Sequence, residues 1–233
     1  MKLLKKSGAW SFGGNVPAYF EKHIQKSVPL YNEGHEIIKN LSDYFLFENS
    51  LCYDIGCSTG LLLQKLSKHT NKKNIKFVGI EVENNMIKIA NKNIKKNGIK
   101  NIKIKKDNII KIKLKKNNLI LSYYTMQFIH PSHRQKIFDK IYNSLNWGGA
   151  FIIFEKIRGN DARFDNIINS LYMDFKEKNN LGPIEILNKS KSLRGVLEPF
   201  SDNGNLGFLK RSGFKDIQTI SQYLCFKGYL CIK

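Results

Sequence analysis

The chain is short of arginine, proline and tryptophan, carries four cysteines, and has no long uninterrupted hydrophobic run. Each shortage excludes something. Cys52, Cys57, Cys225 and Cys231 form no CxxC pair and no metal-ligand spacing, so neither a disulfide framework nor a metal site is expected. Cys52 and Cys231 fall in strand-like runs and read as small core residues. A membrane-spanning helix needs about 20 consecutive apolar residues, and none occurs. No leader pattern opens the sequence, so a soluble cytoplasmic protein is expected. Arginine stands only at Arg134, Arg158, Arg163, Arg194 and Arg211, so lysine supplies most of the formal charge of +20. Lysine, asparagine and isoleucine are enriched together, as an AT-rich genome produces. Arginine is the residue suited to bidentate contacts with phosphate and guanine, and its scarcity argues against specific nucleic-acid readout. The charge predicts a loose, salt-sensitive affinity for polyanions.

What is present suffices for one sizeable core: 233 residues, 42% of them hydrophobic. The stretch Cys52-Tyr53-Asp54-Ile55-Gly56-Cys57-Ser58-Thr59-Gly60 organises the rest. Leu51 to Ile55 read as a buried strand, Gly56 and Gly60 bracket a turn, and Leu61, Leu62, Leu63 and Leu66 carry helical spacing. A strand breaking into a glycine turn and a helix is where α/β folds bind small anionic or nucleotide ligands. Glycine admits close backbone approach, and the helix start offers free N–H groups.

Residues 1–9 read as a basic tail and 10–233 as a single domain. Trp10, Phe12, Tyr19, Phe20 and Tyr31 either fold over a site as a lid or pack on the outer face of a sheet. An amphipathic helix is expected over 33–47. Further strands are expected at 76–80, ending at Glu81, at 101–104, running into Asp107, at 118–124 and at 150–154, ending at Glu155. Helices are expected over 84–97 and from Pro131, with a helical insertion over about 160–200. A short helix near 206–211 is stopped by Gly213, and two β-rich runs close the chain. The alternation predicts an α/β fold: a Rossmann-like, seven-stranded, mostly parallel sheet with one antiparallel strand at an edge and helices on both faces.

In such a sheet the ends of three strands meet: Gly56 to Gly60, Glu81, and Asp107-Asn108. A carboxylate ending the second strand suits the two hydroxyls of a ribose, and Asp107-Asn108 suits an adenine amino group. The glycine spacing is not G-x-G-x-x-G, which disfavours NAD. Gly56-Cys57-Ser58-Thr59-Gly60 also fits the G-x-S-x-G elbow of α/β-hydrolases. No histidine follows His133 to close a triad in that fold's order, which disfavours the hydrolase reading.

Together with Trp147-Gly148-Gly149 and the final hairpin, these residues resemble class I S-adenosylmethionine-dependent methyltransferases. Within them the chain is most similar to the carboxy-S-adenosylmethionine synthases of bacterial tRNA wobble-uridine modification. The similarity rests on Trp10-Ser11-Phe12, Ser27-Val28-Pro29-Leu30-Tyr31, Tyr53 to Ser58, Gln127-Phe128, Lys140-Ile141-Tyr142, Gly148-Gly149-Ala150 and Asp174-Phe175-Lys176. It implies S-adenosylmethionine as cofactor, bound by Tyr31, Asp54, Gly56, Cys57, Ser58, Gly60, Glu81, Val82, Asp107, Asn108 and Tyr123, and a homodimer. It also implies that S-adenosylmethionine and prephenate would give carboxy-S-adenosylmethionine as product.

Two departures redirect that expectation. Tyr123 stands where the family commonly has asparagine, and Ser190 stands where it has the arginine that holds the extra carboxylate. A guanidinium gives two charge-assisted hydrogen bonds, a serine one neutral donor. Methyl transfer to an unidentified acceptor is therefore the leading expectation, and carboxy-S-adenosylmethionine synthesis the alternative, with Lys191 or Arg194 holding the carboxylate. A silent cofactor-binding or RNA-binding protein is a third reading. Tyr123 and Glu155 are further candidates for catalysis, weighed against aromatic lining for the first and a structural ion pair for the second.

Overall fold

The computed structural model describes residues 6–14 and 16–233; residues 1–5 of the expected tail over 1–9 lie outside the described residues. The chain runs α1 (Val16–Ser27), α2 (Tyr31–Phe45), β1 (Leu51–Ile55), α3 (Leu61–His69), β2 (Lys76–Glu81), α4 (Asn84–Lys96), β3 (Ile102–Lys106) and β4 (Asn117–Tyr123). After a short 3-10 turn at Met126–Phe128 come α5 (Pro131–Ser144), β5 (Leu145–Lys156), α6 (Ala162–Lys178), α7 (Pro183–Ser192), α8 (Asp202–Ser212), β6 (Asp216–Tyr223) and β7 (Phe226–Ile232).

All seven strands form one sheet in the order β3-β2-β1-β4-β5-β7-β6. β1 pairs parallel to both β2 and β4, and only β7 runs against its neighbours. The antiparallel strand is thus internal, not at the edge as expected; β6 takes the edge. Burial explains the order. β7 is almost wholly enclosed, whereas β6 is largely solvated, so the more apolar strand sits inside. β5 also begins earlier than expected: Leu145 already pairs with Asn117, and the register shifts before Ala150 meets Leu119. Residues 146–149 are therefore an irregular strand segment rather than a free turn.

Both faces of the sheet are covered. Ile38 and Phe45 of α2 and Leu62, Leu63 and Leu66 of α3 pack with Cys52, Leu119 and Ile152 on one face. Ile137, Phe138 and Ile141 of α5 and Phe208 and Leu209 of α8 pack with Tyr53, Ile120 and Phe151 on the other. Alternate residues of each strand feed opposite cores. α5 starts where Pro131 supplies a preset first-turn φ. Asp161 and Ser201 cap α6 and α8 through side-chain oxygens. Gly213, at φ 114°, stops α8. The strand order reverses direction between β1 and β4, which opens a crevice at their carboxyl ends.

Candidate functional site

A cavity of about 420 Å³ occupies that crevice, within the usual range for small-molecule sites. Its floor is the β1–α3 turn. Gly56 (φ 72°) leaves no room for a side chain, since a Cβ there would stand 2.4 Å from Thr125 Oγ1. Glu81, at the end of β2, is buried and ties the turn to its own strand. Its Oε2 accepts from the Ser58 N–H at 2.9 Å, and its Oε1 accepts from the Val82 and Glu83 N–H groups at 2.8 and 3.0 Å. Ser58 donates its hydroxyl to Met86 Sδ rather than to any histidine, so no nucleophile elbow is assembled.

The third strand end supplies the opposite wall. Asp107 Oδ1 accepts from the Asn108 N–H, and Asn108 Oδ1 accepts from the Ile110 N–H, an arrangement that folds the loop into a tight corner. Lys140 of α5 clamps this loop from behind, donating to the carbonyls of Ile109, Ile110 and Ile112 at 2.7, 2.9 and 2.9 Å. The apolar side chains of Ile109 and Ile110 line the cavity beside Asp107.

Asp54 closes the base of the site. It is 2% exposed, its Oδ1 has no hydrogen-bond partner, and burial, with Glu81 nearby, raises its pKa to about 7. An orphaned carboxylate oxygen facing a cavity fits a ligand that carries a cationic group. The sheet-side wall is aromatic: Tyr31, His35, Tyr123 and Tyr124 lie within 5.2 Å of a neighbour, ring centre to ring centre. Tyr123 donates its hydroxyl to the Tyr31 carbonyl at 2.7 Å, and burial raises its pKa far above the ordinary range. That phenol is committed to structure and lines the cavity as an aromatic wall. Burial lowers the pKa of His35 to about 3, so it is neutral.

The N-terminal segment folds over this crevice: Trp10, Phe12, Val16, Phe20, Glu21 and His23 all line it. Phe12 packs edge-on against Trp10 and Phe128, and the backbone N–H of Trp10 donates to the Ser192 carbonyl at 3.0 Å, pinning the segment to the end of α7. Of the aromatic residues in this stretch, Trp10, Phe12, Phe20 and Tyr31 line the cavity, and Tyr19 is exposed.

Ten of the sequence-derived cofactor residues line the cavity together: Tyr31, Asp54, Gly56, Cys57, Ser58, Glu81, Val82, Asp107, Asn108 and Tyr123. Gly60 does not; at φ 72° it sets the start of α3 and accepts from Gln64. Lys191 and Arg194 do not line it either, because the helical phase at the end of α7 turns them elsewhere, Arg194 to solvent. Glu155 is also outside it. Wholly buried, its pKa raised to about 8, it accepts from the Met126 N–H at 3.1 Å and braces the 3-10 turn. The cation that does enter is Lys189, one residue before Ser190. Its Nζ donates to His23 Nε2 at 2.5 Å and to Ser27 Oγ at 3.2 Å, and stands 5.3 Å from the Trp10 ring. Burial lowers its pKa to about 8, and that of His23 to about 4. His23 Nε2 therefore accepts, leaving its proton on Nδ1 toward Glu185 at 3.6 Å. Lys156 and Lys176 lie near, at 4.8 and 3.9 Å from the Tyr172 ring, and no ion pair to either is found among the described residues.

The comparisons agree with this geometry. A family profile described as a methyltransferase domain matches residues 48–198. The carboxy-S-adenosyl-L-methionine synthase of Staphylococcus epidermidis is 38% identical over 225 residues, covering 96% of this chain and 97% of that one. The enzyme of the same name from Campylobacter lari is 32% identical over 224 residues, covering 96% and 94%. Among solved structures, a SAM-dependent methyltransferase from Aquifex aeolicus superimposes with a TM-score of 0.61 at 18% identity, over 93% of this chain and 97% of that one. Human N-acetylserotonin methyltransferase in complex with SAM gives 0.60 at 14% identity, over 93% of this chain and 55% of that one. The turn, the acidic strand ends and the orphaned Asp54 suit S-adenosylmethionine, whose sulfonium carries the transferable group. This chain is an S-adenosylmethionine-dependent transferase with the class I methyltransferase fold, and it belongs to the carboxy-S-adenosyl-L-methionine synthase family.

Proposed function

We propose that the chain makes carboxy-S-adenosylmethionine from S-adenosylmethionine and prephenate, with Lys189 taking the place of the family's arginine. The observation that supports this is a buried ammonium lining the cofactor cavity whose hydrogen-bond partners, His23 and Ser27, are both neutral, and whose nearest acidic neighbour, Glu185, acts on it from beyond ion-pair distance. A buried cation needs an anion, and the new carboxylate on the sulfonium carbon is one. Lys156 and Lys176 add to the positive potential on that side. Glu81 would take the ribose hydroxyls, Asp107 and Asn108 would face the adenine, and the aromatic wall would exclude water around the sulfonium.

Methyl transfer to an acceptor is the second reading. It is favoured by the absence of an arginine fork, since one ammonium holds a carboxylate less rigidly than a guanidinium. Mass spectrometry of ligand released after incubation with S-adenosylmethionine, with and without prephenate, separates the two. Carboxy-S-adenosylmethionine appearing only with prephenate is expected; unchanged S-adenosylmethionine in both samples returns the case to methyl transfer.

We also infer a cytoplasmic homodimer with loose, salt-sensitive polyanion affinity. No helix among the described residues is long and apolar enough to cross a membrane. Phe164, Ile167 and Leu171 of α6 and Ile184 and Leu187 of α7 are exposed at helical spacing, an apolar face suited to a second copy. In sedimentation velocity the wild type should run as a dimer and Leu171→Asp as a monomer; a monomeric wild type would sink the dimer.

A further inference from the structure

The cavity contains a second orphaned carboxylate that the sequence pattern did not single out. Glu21, on lid helix α1, lines the same cavity as Asp54. Its Oε1 accepts from the Thr59 hydroxyl, in the glycine turn, while its Oε2 is buried with no partner at all. Burial raises its pKa. The one lysine that acts on it electrostatically, Lys65, is half-buried and has its Nζ 3.5 Å from Glu36. No cation comes within ion-pair distance of Glu21 among the described residues. Glu21 and Asp54 both raise the pKa of Tyr31, which places the three groups in one electrostatic neighbourhood.

Two carboxylate oxygens facing one cavity, both buried and both without a donor, need a cation with several protons to give. A primary ammonium has three. Thr59 fixes the Glu21 carboxylate through one oxygen and leaves the other free, as a ligand-binding carboxylate needs. Glu81, bonded to Ser58, sits on the neighbouring residue of the same turn, so the turn separates a carboxylate for hydroxyls from one for an amine.

We propose that Glu21, oriented by Thr59 and assisted by Asp54, binds the primary ammonium of the amino-acid arm of the adenosyl cofactor. The inference rests on the cofactor assignment and not on which group is transferred. Because Glu21 belongs to α1, the bond also ties the lid to the glycine turn when the cofactor is bound.

The test is calorimetric titration of the full chain, wild type and Glu21→Gln, with two ligands. S-adenosylhomocysteine keeps the amino-acid arm; 5′-methylthioadenosine lacks it. A hydrogen bond to a charged partner is worth enough that Glu21→Gln should weaken S-adenosylhomocysteine about 10- to 100-fold. The affinity for 5′-methylthioadenosine should stay unchanged, which also shows that the variant is folded. Equal weakening of both ligands would overturn the proposal and make Glu21 a shaper of the cavity. No weakening of either would overturn it as well. A wild type that binds neither ligand would overturn the cofactor assignment, and the proposal with it.

Discussion

Replacing Lys189 with methionine is expected to abolish nearly all prephenate-dependent carboxy-S-adenosylmethionine formation while leaving S-adenosylmethionine bound. Methionine keeps the length of the side chain and removes its charge. Leaving a buried carboxylate without its cation costs about 2–5 kcal/mol, or about 30- to 4,000-fold in kcat/KM for prephenate. The cofactor itself carries no added carboxylate, so its dissociation constant should barely move. A pH profile adds a signature that a merely structural lysine lacks. Lys189 is an ammonium below about 8 and loses its proton as pH rises through that value, so wild-type kcat/KM should fall on the alkaline side. Lys189→Arg should retain activity and carry it further into alkali, because a guanidinium does not deprotonate there. Steady-state kinetics of the three proteins decides. An unimpaired Lys189→Met would remove the cation from the mechanism and leave the methyl-transfer reading in its place.

That Lys189 is the relevant residue could not be read from the chain alone. Sequence similarity placed the family's arginine at Ser190, with a lysine on either side, and pointed to Lys191 or Arg194. Successive residues on a helix point about 100° apart, so the alignment needed the phase of α7 to choose between neighbours. The exposure of Ile184 and Leu187 and the burial of Ile186 fix that phase, and they turn Lys189 inward.

The parallel core was legible for the opposite reason. β1, β2 and β4 are buried on both faces and so appear as short apolar runs, and Asp54, Glu81 and Asp107 sit at or beside the ends of their strands. Residues from outside the sheet, Glu21 and His35, reach the cavity only because α1 and α2 fold back over it, and no local pattern encodes that return. The position of β7 inside the sheet did leave a signal. The run 226–232 is apolar where 216–223 alternates with polar residues, and the more apolar partner belongs inside.

Gly34→Ala is expected to destabilise the protein in the presence of Tyr123 and to be harmless in its absence. In an ordinary helix interior the change would gain about 1 kcal/mol, since alanine is the better helix former. Here a Cβ on Gly34 would stand 2.2 Å from the Tyr123 hydroxyl oxygen and 3.0 Å from Cζ. The ring has nowhere to withdraw. It is held among Tyr31, His35, Tyr124 and Phe154 at 4.7–5.2 Å between ring centres, and its hydroxyl is bonded to the Tyr31 carbonyl. Overpacking costs about 1–3 kcal/mol and the lost hydrogen bond about 1 more, so a net loss of about 1–3 kcal/mol follows once the helix gain is subtracted. Tyr123→Asn, which restores the residue common in the family, removes the clash, and in that background Gly34→Ala should turn neutral or stabilising. Chemical denaturation of the four proteins gives the coupling energy directly. The same cost in both backgrounds would show that Gly34 is held by something other than Tyr123. A sign reversal would mean that the tyrosine wall of the cofactor cavity exists in this chain only because the facing turn of α2 has no side chain.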